Sequence, residues 1–154
     1  MSGGSPRDQL LLQMDDARSR LDEAIAGLTE EQASRPAIDG WSVKDHLTHL
    51  AFWHEMRYFE VNRVARGGRA SFPLTDEDGI NHINERFAAN RRSLTLPQVL
   101  ADLAFARDMV RQALAACPED RLDESLYEEI GMTGAGHDAA HAGVIAGWRE
   151  REAR

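Results

Sequence analysis

The longest helix that the sequence predicts begins in the stretch GWSVKDHLTHL, residues 40–50. Ser42 is a suitable N-cap, because its hydroxyl can accept a hydrogen bond from a backbone N–H of the first turn. The helix runs to about Arg66, and Gly67-Gly68 ends it. This stretch therefore predicts a long helix that carries several of the six histidines of the chain, namely His46, His49 and His54.

Three further long helices are predicted from apolar residues three and four positions apart. They cover residues 7–27, a segment that starts at Thr95-Leu96-Pro97 and stops at Pro118, and a segment after the glycine-rich stretch 131–136 that runs to about Arg149. A capping box at residues 29–32 opens a short turn, and Asp76 or Asp78 caps a shorter helix. The pattern predicts an all-α four-helix bundle with short extra helices in a single domain, residues 1–154, flexible at 1–6 and 150–154.

Composition narrows the classes of partner. The formal net charge is −8, so we expect no nucleic-acid partner, because phosphate contacts need concentrated Lys and Arg. No apolar stretch approaches the roughly 20 residues of a membrane span, so we expect no membrane partner. The single cysteine, Cys117, cannot form an internal disulfide, which fits a cytoplasmic protein. The long apolar helix faces are compatible with a homodimer.

His137 and His141 lie four residues apart on the last predicted helix, about 40° apart around its axis. Val144, Ile145 and Trp148 fall on the same side, so both histidines lie in the stripe that faces the bundle interior. Two imidazoles placed in this way can hold one cation together. The pattern favours a metal site, and half-buried histidines bonded to backbone or carboxylates are the alternative.

A third imidazole from another helix would complete a three-histidine site with an open coordination position, as in catalytic metal centres. The helix after Ser42 offers His46 and His49. Its apolar arc places His46 nearer the centre of the core and His49 at the edge, so periodicity does not choose between them. His82, on the shorter helix, is expected to face solvent or the rim of the bundle.

The stretch at 40–50, with the pattern His-Asp-x-x-His-Ala-x-x-Ile at 137–145, resembles the DinB-like (DinB/YfiT) superfamily of metalloenzymes. The middle of the chain, from Ile80 to Leu122, also resembles the ClbS-like branch of that superfamily. The likeness covers roughly residues 8–150. It implies an up-down-down-up four-helix bundle, which agrees with the predicted helices, since residues 67–94 supply the long connection that this topology needs.

The resemblance also implies the ligands. A histidine that the family carries about eight residues after Trp-Ser corresponds to His49, and the family's paired histidines correspond to His137 and His141. His46 stays the alternative ligand. One divalent metal ion is expected, zinc first, with nickel or iron also compatible with imidazole ligands. Asp45, one turn before His49, and Asp138 are candidate hydrogen-bond partners that would fix the ligand tautomers, although Asp45 also suits a helix N-terminus.

Three neutral imidazoles leave the charge of the cation undiminished, so a bound water or thiol becomes more acidic. Characterised members of the superfamily that this chain resembles include S-transferases and isomerases that use mycothiol or bacillithiol. We therefore expect a metal-dependent enzyme that acts on a small-molecule substrate, with a low-molecular-weight thiol as cosubstrate. The alternatives are a ClbS-like hydrolase that protects against an electrophilic small molecule, and a non-catalytic stress-related binding protein.

Overall fold

The computed structural model describes residues 4–69, 76–130 and 135–154, apart from the side chains of Ser125 and Glu129. Seven α-helices and one short 3-10 turn, Glu119–Arg121, lie within these ranges. The helices are α1 Pro6–Ile25, α2 Glu30–Ser34, α3 Val43–Ala65, α4 Glu77–Arg91, α5 Leu96–Ala116, α6 Glu124–Ile130 and α7 Gly136–Glu152.

Side-chain caps begin the helices where the sequence predicts them. Ser42 caps α3 through a capping box with Asp45, and Asp76, rather than Asp78, caps α4. A capping box occupies residues 29–32 at the start of α2, and another joins Thr95 and Gln98 at α5. Each box satisfies backbone N–H groups that have no partner inside the helix. The predicted helix starts are therefore confirmed.

The four long helices α1, α3, α5 and α7 form the bundle, in which α3 packs along α5 and α1 packs along α7. The buried side chains form two apolar clusters, one at each end of the bundle. One is centred on Leu47, Leu50, Leu103 and Ile145. The predicted all-α bundle is thus confirmed, and α4 lies in the long connection between α3 and α5.

A tight turn directs Trp41 onto the start of α3. Ile38 and Trp41 exchange two backbone hydrogen bonds of 3.0 and 2.9 Å. The two residues between them, Asp39 and Gly40, both have positive φ, +51° and +86°. This backbone suits Asp-Gly, because glycine adopts it without steric cost and aspartate tolerates it.

Several details differ from the predictions. Helix α6 was not predicted, and α7 continues three residues past Arg149, to Glu152. Val144, which its helical position places on the interior stripe, is 44% exposed, and apolar Phe105 of α5 is 66% exposed, since apolar periodicity does not fix the edges of a buried stripe. Residues 70–75 of the predicted long connection and residues 131–134 of the glycine-rich segment lie outside the described residues. None of the described helices is long and apolar enough to cross a membrane.

Candidate metal centre

Three histidines from two helices converge inside the bundle. His49 projects from α3, and His137 and His141 project from successive turns of α7. The Nε2 atom of His137 lies 2.9 Å from Nε2 of His49 and 3.1 Å from Nε2 of His141. One ring nitrogen from each residue lies within 4.8 Å of the other two. The three residues expected as ligands are therefore brought together.

The spacing of these nitrogen atoms suits a divalent cation of zinc's size. Zinc binds imidazole nitrogen at about 2.0–2.1 Å, so two nitrogens of a tetrahedral site lie about 3.3–3.4 Å apart. The observed separations are a few tenths of an ångström shorter, which small side-chain rotations can widen. His49 is buried and the two α7 histidines are partly buried. The cluster thus fits a three-histidine site that remains reachable from one side.

Two of the three imidazoles of the cluster, those of His49 and His141, are held in the neutral form that a metal requires. Burial, followed by the charges of His137 and His46, lowers the pKa of His49 to about 3, although a hydrogen bond with Asn84 works in the opposite direction. The pKa of His141 is also lowered to about 3, first by burial and then by the neighbouring histidines. Neutral imidazoles present lone pairs, so neither His49 nor His141 has to lose a proton before a cation binds at neutral pH.

The alternative ligand, His46, lies one turn before His49 and faces a different nitrogen. Its Nδ1 atom is 2.8 Å from Nδ1 of His141, on the side of that ring away from the Nε2 cluster. Burial lowers the pKa of His46, while the charges of Asp45 and Asp39 raise it. The structure therefore places His46 behind a candidate ligand and does not place it in the three-nitrogen cluster.

Trp41 covers one side of the site. Its ring packs edge-on against His46 and His49, with ring centroids 5.2 and 5.3 Å apart. Its indole N–H donates to Glu85 of α4 over 2.6 Å, which fixes the ring orientation. The turn at residues 38–41 thus places an aromatic wall beside His49.

The two carboxylates expected to orient ligands have other partners among the described residues. Asp45 accepts from the Ser42 backbone N–H at 2.9 Å and from Arg92 Nε at 3.2 Å. This is the helix N-terminal role that the sequence left open. Asp138 is buried and accepts from His54 at 2.8 Å and from Arg107 Nε at 3.0 Å.

A buried charged network that sequence reasoning missed lies next to the cluster. Asp138 joins His54 of α3 to Arg107 of α5, and Arg107 also donates to Asp22 of α1 over 3.2 Å. Burial alone would raise the pKa of Asp138, but the hydrogen bonds and charges of His54 and Arg107 lower it. Asp138 lies four residues before buried Ala142, so the helical period does place it on a buried stripe. Its partners, 84 and 31 residues away, leave no local signal.

Comparison with known proteins identifies the family and the fold. The model of the DinB superfamily matches residues 13–150. An uncharacterised protein from Escherichia coli UTI89 has a similar structure, with a TM-score of 0.82 at 18% identity, over 96% of this chain and 94% of that one. The colibactin self-resistance protein ClbS, solved in complex with double-stranded DNA, also has a TM-score of 0.82, at 16% identity, over 94% of this chain and 95% of that one. No curated protein sequence matches the chain.

One expectation about partners is overturned by this comparison. Net charge led us to expect no nucleic-acid partner, yet a protein of the same fold has been solved bound to double-stranded DNA. The exclusion is therefore wrong. Its physical weakness is that net charge sums the whole chain, whereas contacts to phosphates depend on the few cations that share one surface.

Proposed function

Because this chain belongs to the DinB superfamily, we propose that it is an enzyme that holds one divalent metal ion through His49, His137 and His141 and acts on a small molecule. The observation that carries the proposal is the convergence of three Nε2 atoms on one point inside the bundle. Zinc is the first candidate, and nickel or iron would accept the same imidazole ligands.

A cation held by three neutral imidazoles keeps its full charge and lowers the pKa of a thiol or water in its open position. The protein supplies the rest of the site. Trp41 and the packing around His49 exclude water from one side, which strengthens electrostatic interactions there. His137 and His141 are only partly buried, so we expect a substrate to approach the site from α7.

We assign His46 the role of orienting His141. If His141 binds the metal through Nε2, its Nδ1 carries the proton and needs an acceptor. The Nδ1 atom of His46, 2.8 Å away, is such an acceptor when the His46 proton sits on Nε2. This arrangement replaces the carboxylate that often performs this task, and Asp45 and Asp138 remain committed to Ser42, Arg92, His54 and Arg107.

The reaction that we propose first is transfer or isomerisation that uses a low-molecular-weight thiol, of the mycothiol or bacillithiol type, as nucleophile. A thiol in the open position would be deprotonated at neutral pH and therefore reactive. The likeness in fold to a self-resistance protein supports the alternative, a hydrolase that destroys an electrophilic small molecule without any thiol. A binding protein without catalytic activity is the remaining alternative.

Elemental analysis of the purified, untagged protein tests the metal proposal. The wild-type protein is compared with His49→Ala/His137→Ala, and with His82→Ala as a matched control, because His82 is exposed on α4. We expect about one equivalent of metal in the wild type and in the control, and none in the double variant. Absence of metal from the wild type, even after reconstitution with zinc, nickel and iron, would overturn the proposal.

The loaded protein then separates the reactions. A thiol titration followed by cobalt(II) absorption, with cobalt as the reporter ion, should show a sulfur-to-metal charge-transfer band if a thiol binds the open position. Turnover of an alkylating electrophile in thiol-free buffer would favour the hydrolase. If the protein binds metal but shows neither the charge-transfer band nor turnover of the electrophile, a binding protein without catalytic activity would be the better account.

A second candidate function, DNA binding, is favoured by a surface at the end of α3. Tyr58, Phe59, Arg63 and Arg66 line an open hollow there, and Phe59 is 58% exposed. The Arg121 guanidinium lies beside Gly67 at the same end. Arginines can contact the phosphates of duplex DNA, and ClbS has been solved with double-stranded DNA.

A gel-shift titration with duplex DNA at several salt concentrations tests this second function. Arg66→Gln should weaken binding and reduce the salt slope by about one phosphate contact. Arg20→Gln is the matched control, since Arg20 is an exposed α1 arginine paired with Asp16. Equal binding by both variants, or none by the wild type, would overturn this assignment without affecting the metal proposal.

A further inference from the structure

We propose that a second site, separate from the histidine cluster, binds a compact oxyanion, a carboxylate or a phosphate, carried by a small molecule. The site is a cavity of about 300 Å³ between the end of α2, the start of α3 and the end of α4. Its polar lining is formed by Ser34, Ser42, Lys44, Asp45, Thr48, Arg91 and Arg92. We call it the α2–α4 pocket.

The charge of this lining differs from the charge of the chain. Three cations, Lys44, Arg91 and Arg92, and one carboxylate, Asp45, give the lining a formal charge of +2, whereas the whole chain carries −8. Two cations have carboxylate partners, since Lys44 contacts Glu30 at 2.8 Å and Arg92 contacts Asp45 at 3.2 Å. The pair with half-exposed Glu30 holds the buried Lys44 ammonium in place at the pocket wall.

Arg91 is the third cation of the lining, and it has no such carboxylate partner among the described residues. Its guanidinium lies 4.2 Å from the centroid of the Phe87 ring, so the planar group is held by a cation–π contact. Its NH1 atom is buried and has no hydrogen-bond partner within the described residues. Since Arg91 lines the pocket and has no carboxylate partner in the part of the chain that the structure describes, its guanidinium is the cation of the lining that remains for an anion. A guanidinium is the side chain best matched to carboxylate and phosphate oxygens.

The first turn of α3 strengthens the preference for an anion. Ser42 and Lys44 belong to this turn, and the positive end of the dipole of the 23-residue helix points toward the pocket wall that they form. The hydroxyl of Thr48 offers a further donor, whereas that of Ser34 already donates to Glu30 at 3.2 Å. The volume exceeds that of a bare oxyanion and reaches the lower end of small-molecule sites, which indicates an organic group attached to the anion.

The α2–α4 pocket is independent of the metal proposal. Thr48 and Lys44 lie about 100° and 140° from His49 around the axis of α3, so they face a different side of the helix. Metal content and anion binding can therefore fail separately, because elemental analysis reports one site and anion titration reports the other.

Nuclear magnetic resonance titration with two probes tests the pocket. Inorganic phosphate and phenyl phosphate are added at constant ionic strength to the ¹⁵N-labelled protein as purified. We expect saturable shifts of backbone amides in residues 34–48 and 91–92, with tighter binding of phenyl phosphate. Arg91→Gln should weaken both by about tenfold or more, because a charge-assisted hydrogen bond is lost. Arg91→Lys keeps the charge but loses the planar set of guanidinium donors. Its affinity for each probe should lie between those of the wild type and Arg91→Gln.

Arg86→Gln is the matched control, since Arg86 is an exposed arginine of α4 outside the pocket lining and its replacement changes the net charge equally. It should bind both probes as the wild type does. Equal affinity for the two probes would overturn the proposal that the ligand carries an organic group, and it would support a site for the oxyanion alone. Shifts that do not saturate, or equal weakening by Arg91→Gln and Arg86→Gln, would overturn the site altogether. The spectra themselves report whether each variant is folded.

Discussion

His137 and Asp138 are neighbours on α7, yet they enter opposite kinds of polar cluster. The imidazole of His137 meets two other rings, His49 and His141, whose pKa values are lowered so that both stay neutral. The carboxylate of Asp138 meets His54 and Arg107, which lower its pKa and keep it charged. The side chains of His137 and Asp138 point about 100° apart around the axis of α7. One therefore joins the histidine cluster, whose nitrogen lone pairs can bind a cation, and the other joins a network of oppositely charged groups.

The difference separates a binding role from a structural one. In the Asp138 network, side-chain hydrogen bonds join α1 through α5 and α7 to α3, so it ties the bundle together. In the histidine cluster three nitrogen acceptors crowd one point, an arrangement that a cation would relieve. Stability should therefore depend more on Asp138, and metal affinity on the histidines.

The largest expected effect is on stability. Asp138→Ala leaves Arg107 and His54 buried without their shared partner and should lower the free energy of unfolding by about 3–5 kcal/mol. Asp22→Ala removes the exposed end of the same network and should cost under about 1 kcal/mol, because solvent can replace it. Urea unfolding at pH 7 measures both. Equal losses would show that the network does not stabilise the bundle as argued.

The second effect is on metal affinity. His141→Ala should weaken metal binding by more than about 100-fold, since loss of an outer hydrogen-bond partner alone typically costs 10–100-fold. Its effect on the free energy of unfolding should be smaller than that of Asp138→Ala, because His141 is only partly buried. Competition with a zinc chelator gives the affinity, and exposed His82→Ala serves as control. Tight binding by His141→Ala would remove this residue from the ligand set.

A smaller effect on metal affinity is expected from His46, which contacts a proposed ligand and is not itself one. His46→Leu removes the acceptor 2.8 Å from Nδ1 of His141 and should weaken metal binding by about 10–100-fold. His46→Asn places an amide oxygen near the former Nδ1 position and should recover part of that loss. The cobalt(II) spectrum of both variants should keep the wild-type coordination number. A change in coordination number would make His46 a ligand, and unchanged affinity in both would make it a packing residue.

The fold could be predicted from local features of the sequence. Ser42 and Thr95 cap the helices that the apolar period predicts, because a capping hydroxyl acts within three residues of its own position. The sequence does not predict which residues at the edge of an apolar stripe are buried, because this depends on which helix packs alongside. Phe105, which is apolar but exposed, is an example. Helix α6 has only seven residues, too few for its period to be recognised.

The candidate site was predicted in part for the same reason. His137 and His141 form a local pattern, four residues apart, and the resemblance to a known family singled out His49. The contacts of His46 with His141 and of His54 with Asp138 join residues 95 and 84 positions apart, so they depend on how α3 and α7 pack. Asp45 was open to two interpretations, and the contacts with Ser42 and Arg92 correspond to the local one.

The last predicted effect is on the pH dependence of stability in protein freed of metal by a chelator. The pKa of His49 is about 3 in the folded protein and near 6.5 when unfolded, so between these values the unfolded chain binds the extra proton. Stability is therefore fully present above about pH 6.5 and falls as pH decreases toward 3, by up to about 1.4 kcal/mol per pH unit for each such histidine. His141 should contribute in the same direction, opposed by the nearby charge of Asp138.

His49→Gln should reduce this slope, whereas His82→Gln, in an exposed position, should leave it unchanged. The comparison uses urea unfolding at pH 7.0, 6.0 and 5.0, where most other carboxylates are still ionised. Asp138 works in the same sense at lower pH, because its own pKa is lowered and its stabilising charge is lost only on stronger acidification. A slope that His49→Gln does not change would mean that His49 is protonated in the folded protein, and the cluster would then repel a cation at the pH where we expect it to bind one.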